Sequence, residues 1–575
     1  MKYNNSPRNI ILPLVIAVSV IAGVLIGIWM PGRTSHPPLS VKPRTDKISR
    51  VLNFVEANYV DSVDRQKLVE TAIPVMLHEL DPHSVYIPAK DLTASNEQLQ
   101  GNFEGIGISF NMLTDTVLVI STIPGGPAEK TGLMAGDKII YVGDSLIAGQ
   151  EMADEDVISM LKGPRGTEVE IKVLRKGVDD LIPFTITRDE IPIYSVDVAY
   201  MINDTTGYIK INRFSLTTYD EFLAGTGKLK AQGMDKLIID LRGNVGGVME
   251  PAIRITDEFL PENTLIVYTE GRARSREEYR ATANGSLLED ELVILIDEWS
   301  ASASEIVAGA IQDNDRGTII GRRSFGKGLV QEPIMFNDRS AMRLTVARYY
   351  TPSGRSIQKP YENGYEDYLS ELNERFMRGE HQNIDSIELD KIQKFETTGG
   401  RTVYGGGGIM PDVFIPADTT GLSMYFAKVR NSGLIYRYAL RFTESNRKEL
   451  SSMSSAEEIS DFLEKQAVLE KFIEFAGQNG VKPDWADIKE SGKVISIQIK
   501  AYIARNILDN EGFYPIWQEL DNTLREAIDY IENVPAQDET VTGEMAQGKS
   551  TGNVPYSPGN ISLLQILSAR QLSVS

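Results

Sequence analysis

The run Glu291-Leu292-Val293-Ile294-Leu295-Ile296-Asp297-Glu298-Trp299-Ser300-Ala301-Ser302-Ala303-Ser304-Glu305-Ile306-Val307-Ala308-Gly309-Ala310-Ile311 contains a strand, a turn and a helix. Residues 292–296 are unbroken apolar sequence, the mark of a strand buried on both faces. Ile306, Val307, Ala310 and Ile311 recur at helical spacing, and Thr318-Ile319-Ile320 beyond them reads as the next strand. Upstream, Leu237-Ile238-Ile239-Asp240-Leu241 repeats the buried-strand pattern. Strands alternating with helices from about 195 to 420 predict an α/β domain. Between strand and helix stands Ser300-Ala301-Ser302-Ala303-Ser304-Glu305, which puts a serine where backbone N–H groups and the helix dipole favour a developing negative charge. Taken alone, the segment reads better as a serine-rich N-cap with Glu305 completing the first turn, because such caps are very common.

Composition narrows the chemistry. A chain of 575 residues is too long for one core and divides into three or four domains. A formal net charge of -21 argues against phosphate-neutralising nucleic-acid binding. The absence of cysteine removes thiol peptidases, disulfide frameworks, cysteine-ligated zinc and a lipoprotein anchor. A histidine base would have to be His36, His78, His83 or His381.

Residues 10–30 form an uncharged apolar run of spanning length, preceded by Lys2 and Arg8. The run exceeds the usual h-region, and Trp29-Met30-Pro31 does not resemble a cleavage site, so it is read as an uncleaved anchor. Residues 1–9 would then stay cytoplasmic. The following domains would lie on the extracytoplasmic, periplasmic side of a cell inner membrane, despite Arg33, Lys42, Arg44, Lys47 and Arg50 after the span. Residues 31–45 read as a linker, 46–100 as a helical region, and 101–190 as a glycine-punctuated β domain. Residues 195–420 are the α/β core, with a polar insert at 361–400 expected to be a surface excursion. A helical region at 421–532 and a disordered tail at 533–575 complete the chain.

Several motif matches fail on spacing. Residues 321–327 fit the first seven positions of a phosphate-binding P-loop, but Gly328 stands where a hydroxyl should bind magnesium, and strand rather than helix follows. Ser159-Met160-Leu161-Lys162 and Lys130-Thr131-Gly132 match boxes of penicillin-binding enzymes in reversed order, without the third box.

Linked motifs change the weight of the serine box. In order they are Leu80-Asp81-Pro82-His83-Ser84-Val85-Tyr86, Gly101-Asn102-Phe103-Glu104-Gly105-Ile106-Gly107-Ile108, Asp240-Leu241-Arg242-Gly243-Asn244-Val245-Gly246-Gly247, the serine box, and Phe325-Gly326-Lys327-Gly328 with Gln331. Tyr350-Thr351-Pro352-Ser353-Gly354 and Gly408-Ile409-Met410-Pro411-Asp412 extend the series. From about 46 to 415 the chain resembles the carboxyl-terminal processing peptidases, or tail-specific proteases. The resemblance implies Ser302 as nucleophile, Lys327 as general base and Gln331 orienting the lysine. It further implies an oxyanion hole from the N–H of Ala303 and one of Gly246 or Gly247. The chemistry is consistent: no histidine lies among residues 240–331, and a lysine held neutral by burial can activate a serine. Gln331 alone is as readily a plain strand residue. Residues 101–188 look like a PDZ domain with 105–108 (Gly105, Ile106, Gly107, Ile108) as its carboxylate loop; the bland alternative is a glycine-rich turn. His83 is read as a structural hydrogen-bonding residue and Trp299 as core.

The expected fold is α/β, with a crotonase/ClpP-like ββα-spiral core, an inserted PDZ domain, helical N- and C-terminal regions and a transmembrane helix. The expected function is a serine endopeptidase that recognises and cleaves exposed C-terminal tails of proteins. It would use no metal or cofactor and bind no nucleic acid, with homo-oligomerisation left open. The alternatives are a non-catalytic PDZ scaffold and an NTP-binding protein acting through 321–327. If 10–30 is retained as an anchor, N-terminal sequencing of the mature protein should find a start before residue 30; a start beyond it means the segment is removed.

Overall fold

A computed structural model describes residues 47–112, 115–387 and 393–533. The expected membrane segment 10–30, the linker 31–45 and the tail from 534 lie outside the described residues. Among the described residues no helix is long and apolar enough to cross a membrane. The chain divides into two units, 1–72 and 73–575. The first contains the helix Lys47–Asn58, against which Arg65 bonds Asn53 and pairs with Glu56 at 2.9 Å.

The second unit is built on a six-stranded sheet. Its order is Val196–Met201, Thr206–Ile211, Lys236–Asp240, Glu291–Ile296, Thr318–Gly321 and Val413–Phe414. The first pair is antiparallel and the remaining pairs are parallel. Successive residues of the apolar strands face opposite layers, as the pleat requires. Leu237, Ile239, Ile294 and Ile296 pack with Phe222, Ile255, Ile306 and Val307 on one side. Ile238, Val293, Leu295 and Ile320 pack on the other with Phe426, Tyr438, Phe472 and Ile495. The second set comes from the C-terminal helices Met424–Asn431, Leu434–Leu450, Val468–Gln478 and Trp485–Trp517. Each such aliphatic side chain gains about 1.5–3 kcal/mol on full burial, so this helical layer is the second cover of the sheet rather than an appendage.

A second, antiparallel sheet runs Val85–Ile87, Ala341–Tyr350, Leu265–Gly271, Arg274–Arg280, with Leu329–Met335 also paired to Ala341–Tyr350. This pairing puts the 80–86 motif and the strand of Gln331 on opposite sides of Ala341–Tyr350. Residues 108–187 form a separate β domain around Val119, Ile139, Val157, Ile171 and Ile186. Both of its chain connections pass through one antiparallel ribbon, Asn102–Gly105 with Asp189–Pro192. The two penicillin-enzyme matches fall here in structural roles: Ser159 bonds the Asp156 carbonyl within its helix, Lys162 pairs with Glu97 at 2.6 Å, and the Thr131 hydroxyl donates to the Ala128 carbonyl at 2.9 Å.

The insert differs from its expectation as a surface excursion. Its helix Tyr365–Met377 buries Tyr368 and Arg375. The Arg375 guanidinium, 2% exposed, donates to the carbonyls of Ser324 (2.8 Å), Phe325 (3.4 Å) and Gly407 (3.2 Å) and to Glu371 at 2.6 Å. The polar composition concealed this face because an arginine can be buried when backbone carbonyls satisfy its fork. Arg375→Met should therefore lower the unfolding free energy in urea by about 3 kcal/mol, since it strands those carbonyls and removes one of the cations that pair with Glu371, leaving Lys359 at 3.0 Å; an unchanged midpoint would place the insert at the surface after all.

Candidate active site

The strand Glu291–Ile296 ends in a turn fastened by the Asp297 carboxylate, which accepts from the N–H groups of Trp299 (3.0 Å), Ser300 (3.2 Å) and Gly243 (2.9 Å). The Ser300 hydroxyl donates to the Leu241 carbonyl at 2.8 Å. Ser302 follows at φ 56°, ψ -111°, immediately before the helix Ala303–Asp313. Positive φ at a residue with a Cβ costs of order 1–3 kcal/mol and persists only where the surroundings impose it. Here the Ser302 N–H is held by the Glu305 carboxylate at 2.8 Å.

Glu305 is fully buried, and its carboxylate serves more than a helix cap. It also accepts from the Ser324 hydroxyl (2.5 Å), the Gly326 N–H (2.7 Å) and the Lys327 N–H (2.9 Å). Burial raises its pKa, against the pull of these donors. The Tyr349 hydroxyl lies 3.0 Å from the Ser302 carbonyl and 2.7 Å from the Lys327 carbonyl, its proton shared between them. One carboxylate thus takes the N–H groups of Ser302 and Lys327, and one phenol contacts their carbonyls.

Both side chains line one cavity of about 960 Å³, together with Ala303, Gly246, Gly247 and Gln331. Lys327 sits in the loop before the strand Leu329–Met335 and not in the strand itself. Its Nζ still lies 3.4 Å from Gln331 Oε1. Gln331 is oriented from behind, because its Nε2 donates to the His83 carbonyl and leaves the oxygen facing the amine. No hydrogen bond joins Ser302 Oγ to Lys327 Nζ among the described residues; such contacts commonly tighten only with substrate bound. Burial lowers the pKa of Lys327, Glu305 opposes this, Arg343 adds to it and Asp81 opposes it again. His83 Nε2 is 2.7 Å from the Tyr368 hydroxyl, and burial followed by the Lys327 charge pushes the imidazole down to about 3. Its neutral form is therefore favoured, in keeping with a structural hydrogen-bonding role.

The two glycines named for the oxyanion hole separate. The Gly246 N–H donates to Asn244 Oδ1 at 2.9 Å and is committed. Among the described residues the N–H groups of Gly247 and Ala303 make no hydrogen bond. Gly246, at φ 95°, packs so closely on the serine turn that a Cβ would meet Ser302 Cβ at 2.7 Å. Trp299 lines the cavity and is half-exposed, so the core reading of it is corrected. At the β domain, the carbonyls of Ile106 and Gly107 accept from Ala128 (2.9 Å) and Ile123 (3.0 Å), with Gly107 at φ 76°. Ile106 itself is buried in that domain's core, while Gly105 ends the connecting strand. The next strand, Ile108–Asn111, is an edge, paired on one side to Val117–Thr122.

The P-loop alternative needs backbone N–H groups free to cradle phosphates. Those of residues 322, 324, 325, 326, 327 and 328 all donate to protein acceptors. Glu305, Tyr349 and Arg343 were not singled out in the sequence as site residues. Only Glu305, three positions after Ser302, carried a signal, and it read as an ordinary capping pattern.

Comparison with known proteins places these residues in context. Residues 205–365 match the peptidase family S41 model and 105–185 a PDZ domain. Residues 33–91 match the N-terminal domain of the activating protease CtpB, and 425–509 a family of unknown function. The chain is similar to the carboxy-terminal-processing protease of Bartonella bacilliformis, 39% identical over 57% of this chain and 78% of that one. It is also similar to the carboxy-terminal processing protease CtpA of Bacillus subtilis, 30% identical over 61% and 76%. A solved photosystem II D1 C-terminal processing protease is 27% identical, covering 54% of this chain and 89% of its own with a TM-score of 0.32.

Glu305→Gln would turn an amide N–H toward donors that the carboxylate now accepts. The expected result is a loss of about 100-fold in the rate of Ser302 labelling by a fluorophosphonate, with Tyr349→Phe showing a smaller loss. Wild-type labelling in Glu305→Gln would show that the carboxylate does not organise the site.

Proposed function

Because the chain belongs to peptidase family S41, as a carboxy-terminal processing protease, we propose that it hydrolyses peptide bonds through Ser302 and Lys327. In this reading neutral Lys327 Nζ takes the proton from Ser302 Oγ as the oxygen attacks the scissile carbonyl, then passes it to the departing amine. The carbonyl oxygen becomes an oxyanion received by the N–H groups of Ala303 and Gly247, with the helix Ala303–Asp313 adding its dipole. Water then attacks the acyl-enzyme by the same route. Gln331 accepts from the lysine and fixes its aim. The observation that carries the proposal is the joint anchoring of Ser302 and Lys327 by Glu305 and Tyr349.

The PDZ domain would hold the substrate's C-terminal tail as an added strand on the edge Ile108–Asn111, its carboxylate at 105–108. The apolar run 10–30 supports membrane attachment with the catalytic unit on the extracytoplasmic side. The parallel sheet covered by helices supports assignment of the core to the crotonase/ClpP-like folds.

Cleavage of an unfolded test protein, followed across pH, tests the dyad. Lys327 has a lowered pKa and must be neutral to act, so activity should rise as pH climbs through that lowered value, which lies below the usual lysine range. His83, titrating near 3, should add no limb near neutrality. Ser302→Ala and Lys327→Arg should each lose at least about 1,000-fold, because a guanidinium stays protonated. Substantial activity in Lys327→Arg would rule out lysine as the base.

A further inference from the structure

Arginines on the wall of the catalytic cavity are not equivalent. Arg242 pairs with Asp240 and Asp521 at 2.6 Å, and Arg322 pairs with Glu298 at 2.8 Å. Arg343 has no ion pair among the described residues. Its Nη2 donates to Ser95, to Oγ at 2.8 Å and to the carbonyl at 3.4 Å, which engages one corner of a five-donor fork. In the strand register Arg343 lies opposite Pro333, two residues from the pair Gln331–Thr345, so it shares the sheet face of Gln331 beside Lys327. The neighbouring carboxylate cannot serve it: Asp81 is committed to His83 N–H, Ser84 N–H, the Ser84 hydroxyl and the Thr345 hydroxyl. Arg343 is also half-buried, and burial lowers its pKa with no acid opposing the shift.

An uncompensated guanidinium in a partly desolvated cavity is costly unless a ligand completes it, and its planar fork suits a carboxylate. We propose that Arg343 receives a carboxylate of the polypeptide lying in the catalytic cavity, and so makes cleavage selective for an acidic group at that subsite. The inference rests on the peptidase reading above and adds a substrate preference to it. The carboxylate has two sources, the free C-terminus of the tail or an Asp or Glu side chain near the scissile bond.

The test uses the full-length enzyme and two matched peptide pairs, one with a C-terminal acid or amide and one with Glu or Gln beside the cleavage site. For each pair the ratio of kcat/KM, acid over neutral, is measured on the alkaline plateau of each enzyme, so that any change in the titration of Lys327 cancels. Wild type should favour the acidic member of one pair by about tenfold or more. Arg343→Gln should bring that ratio close to one, with Arg343→Lys retaining part of it. Arg213, which also lacks an ion pair among the described residues and donates to Asn212 at 3.0 Å, supplies the control variant Arg213→Gln, in which the ratio should persist. Melting temperature and fluorophosphonate labelling of Ser302 report that each variant is folded. The proposal is overturned if wild type shows no preference in either pair, if the preference survives in Arg343→Gln (as it would were the PDZ domain its only source), or if Arg213→Gln abolishes it instead. Cleavage that persists in Ser302→Ala would instead overturn the peptidase reading itself.

Discussion

The buried carboxylate of Glu305 is the interaction on which the site depends. A serine in a left-handed conformation and a lysine in an irregular loop belong to different segments, and neither segment specifies where the other will sit. Glu305 resolves this by taking the N–H groups of Ser302 and Lys327 on one carboxylate, while Tyr349 contacts both carbonyls from another strand. Acceptance of charge-assisted hydrogen bonds in a water-free setting is what lets an ionisable group be buried there at all. Lys327 forms no ion pair among the described residues, so burial prevails over the opposing pull of Glu305, with Arg343 adding to the lowering and Asp81 opposing it.

Around this junction the structure repeats one device, the fixing of a loop of the candidate site by hydrogen-bonding groups from other segments. Asn244 holds the glycine loop: its side chain bonds the Ile211 carbonyl and the Gly246 N–H, and its own carbonyl accepts from Ala301 and Ser304. Arg242 in that loop is gripped by Asp240 at the end of a core strand and by Asp521 of the C-terminal region. The insert supplies Arg375 to the carbonyls of the lysine loop. The 80–86 motif supplies the His83 carbonyl to Gln331. These segments come from four parts of the chain, and together they satisfy backbone and side-chain groups that would otherwise be left unpaired.

Charge is distributed with the same economy. Aspartates and glutamates near the cavity are mostly committed to N–H groups or arginines, which leaves the lysine to be governed by desolvation. Arg343 departs from this pattern. Like Arg213, it is an arginine of the cavity wall without an ion pair among the described residues.

Strand and helix positions in the core were legible from the sequence because burial on both faces leaves unbroken apolar runs at 237–241 and 292–296, and helical packing leaves the spacing of Ile306, Val307, Ala310 and Ile311. The motif series likewise carried the family, and with it the residues to look for at the site. Tertiary structure alone decided which N–H groups of the glycine pair are engaged, since only the fold shows Gly246 bonded to Asn244 while the Gly247 N–H makes no hydrogen bond among the described residues. It alone decided that a polar insert buries Tyr368 and Arg375, because composition does not reveal which carbonyls a folded neighbour will offer. Above all, the sequence holds Ser302, Glu305, Lys327 and Tyr349 as separate residues spread over some fifty positions, and hydrogen bonding has no periodicity that a linear pattern could record. Their meeting is a property of packing, and packing is settled only when the strands, the insert and the C-terminal layer have all found their faces.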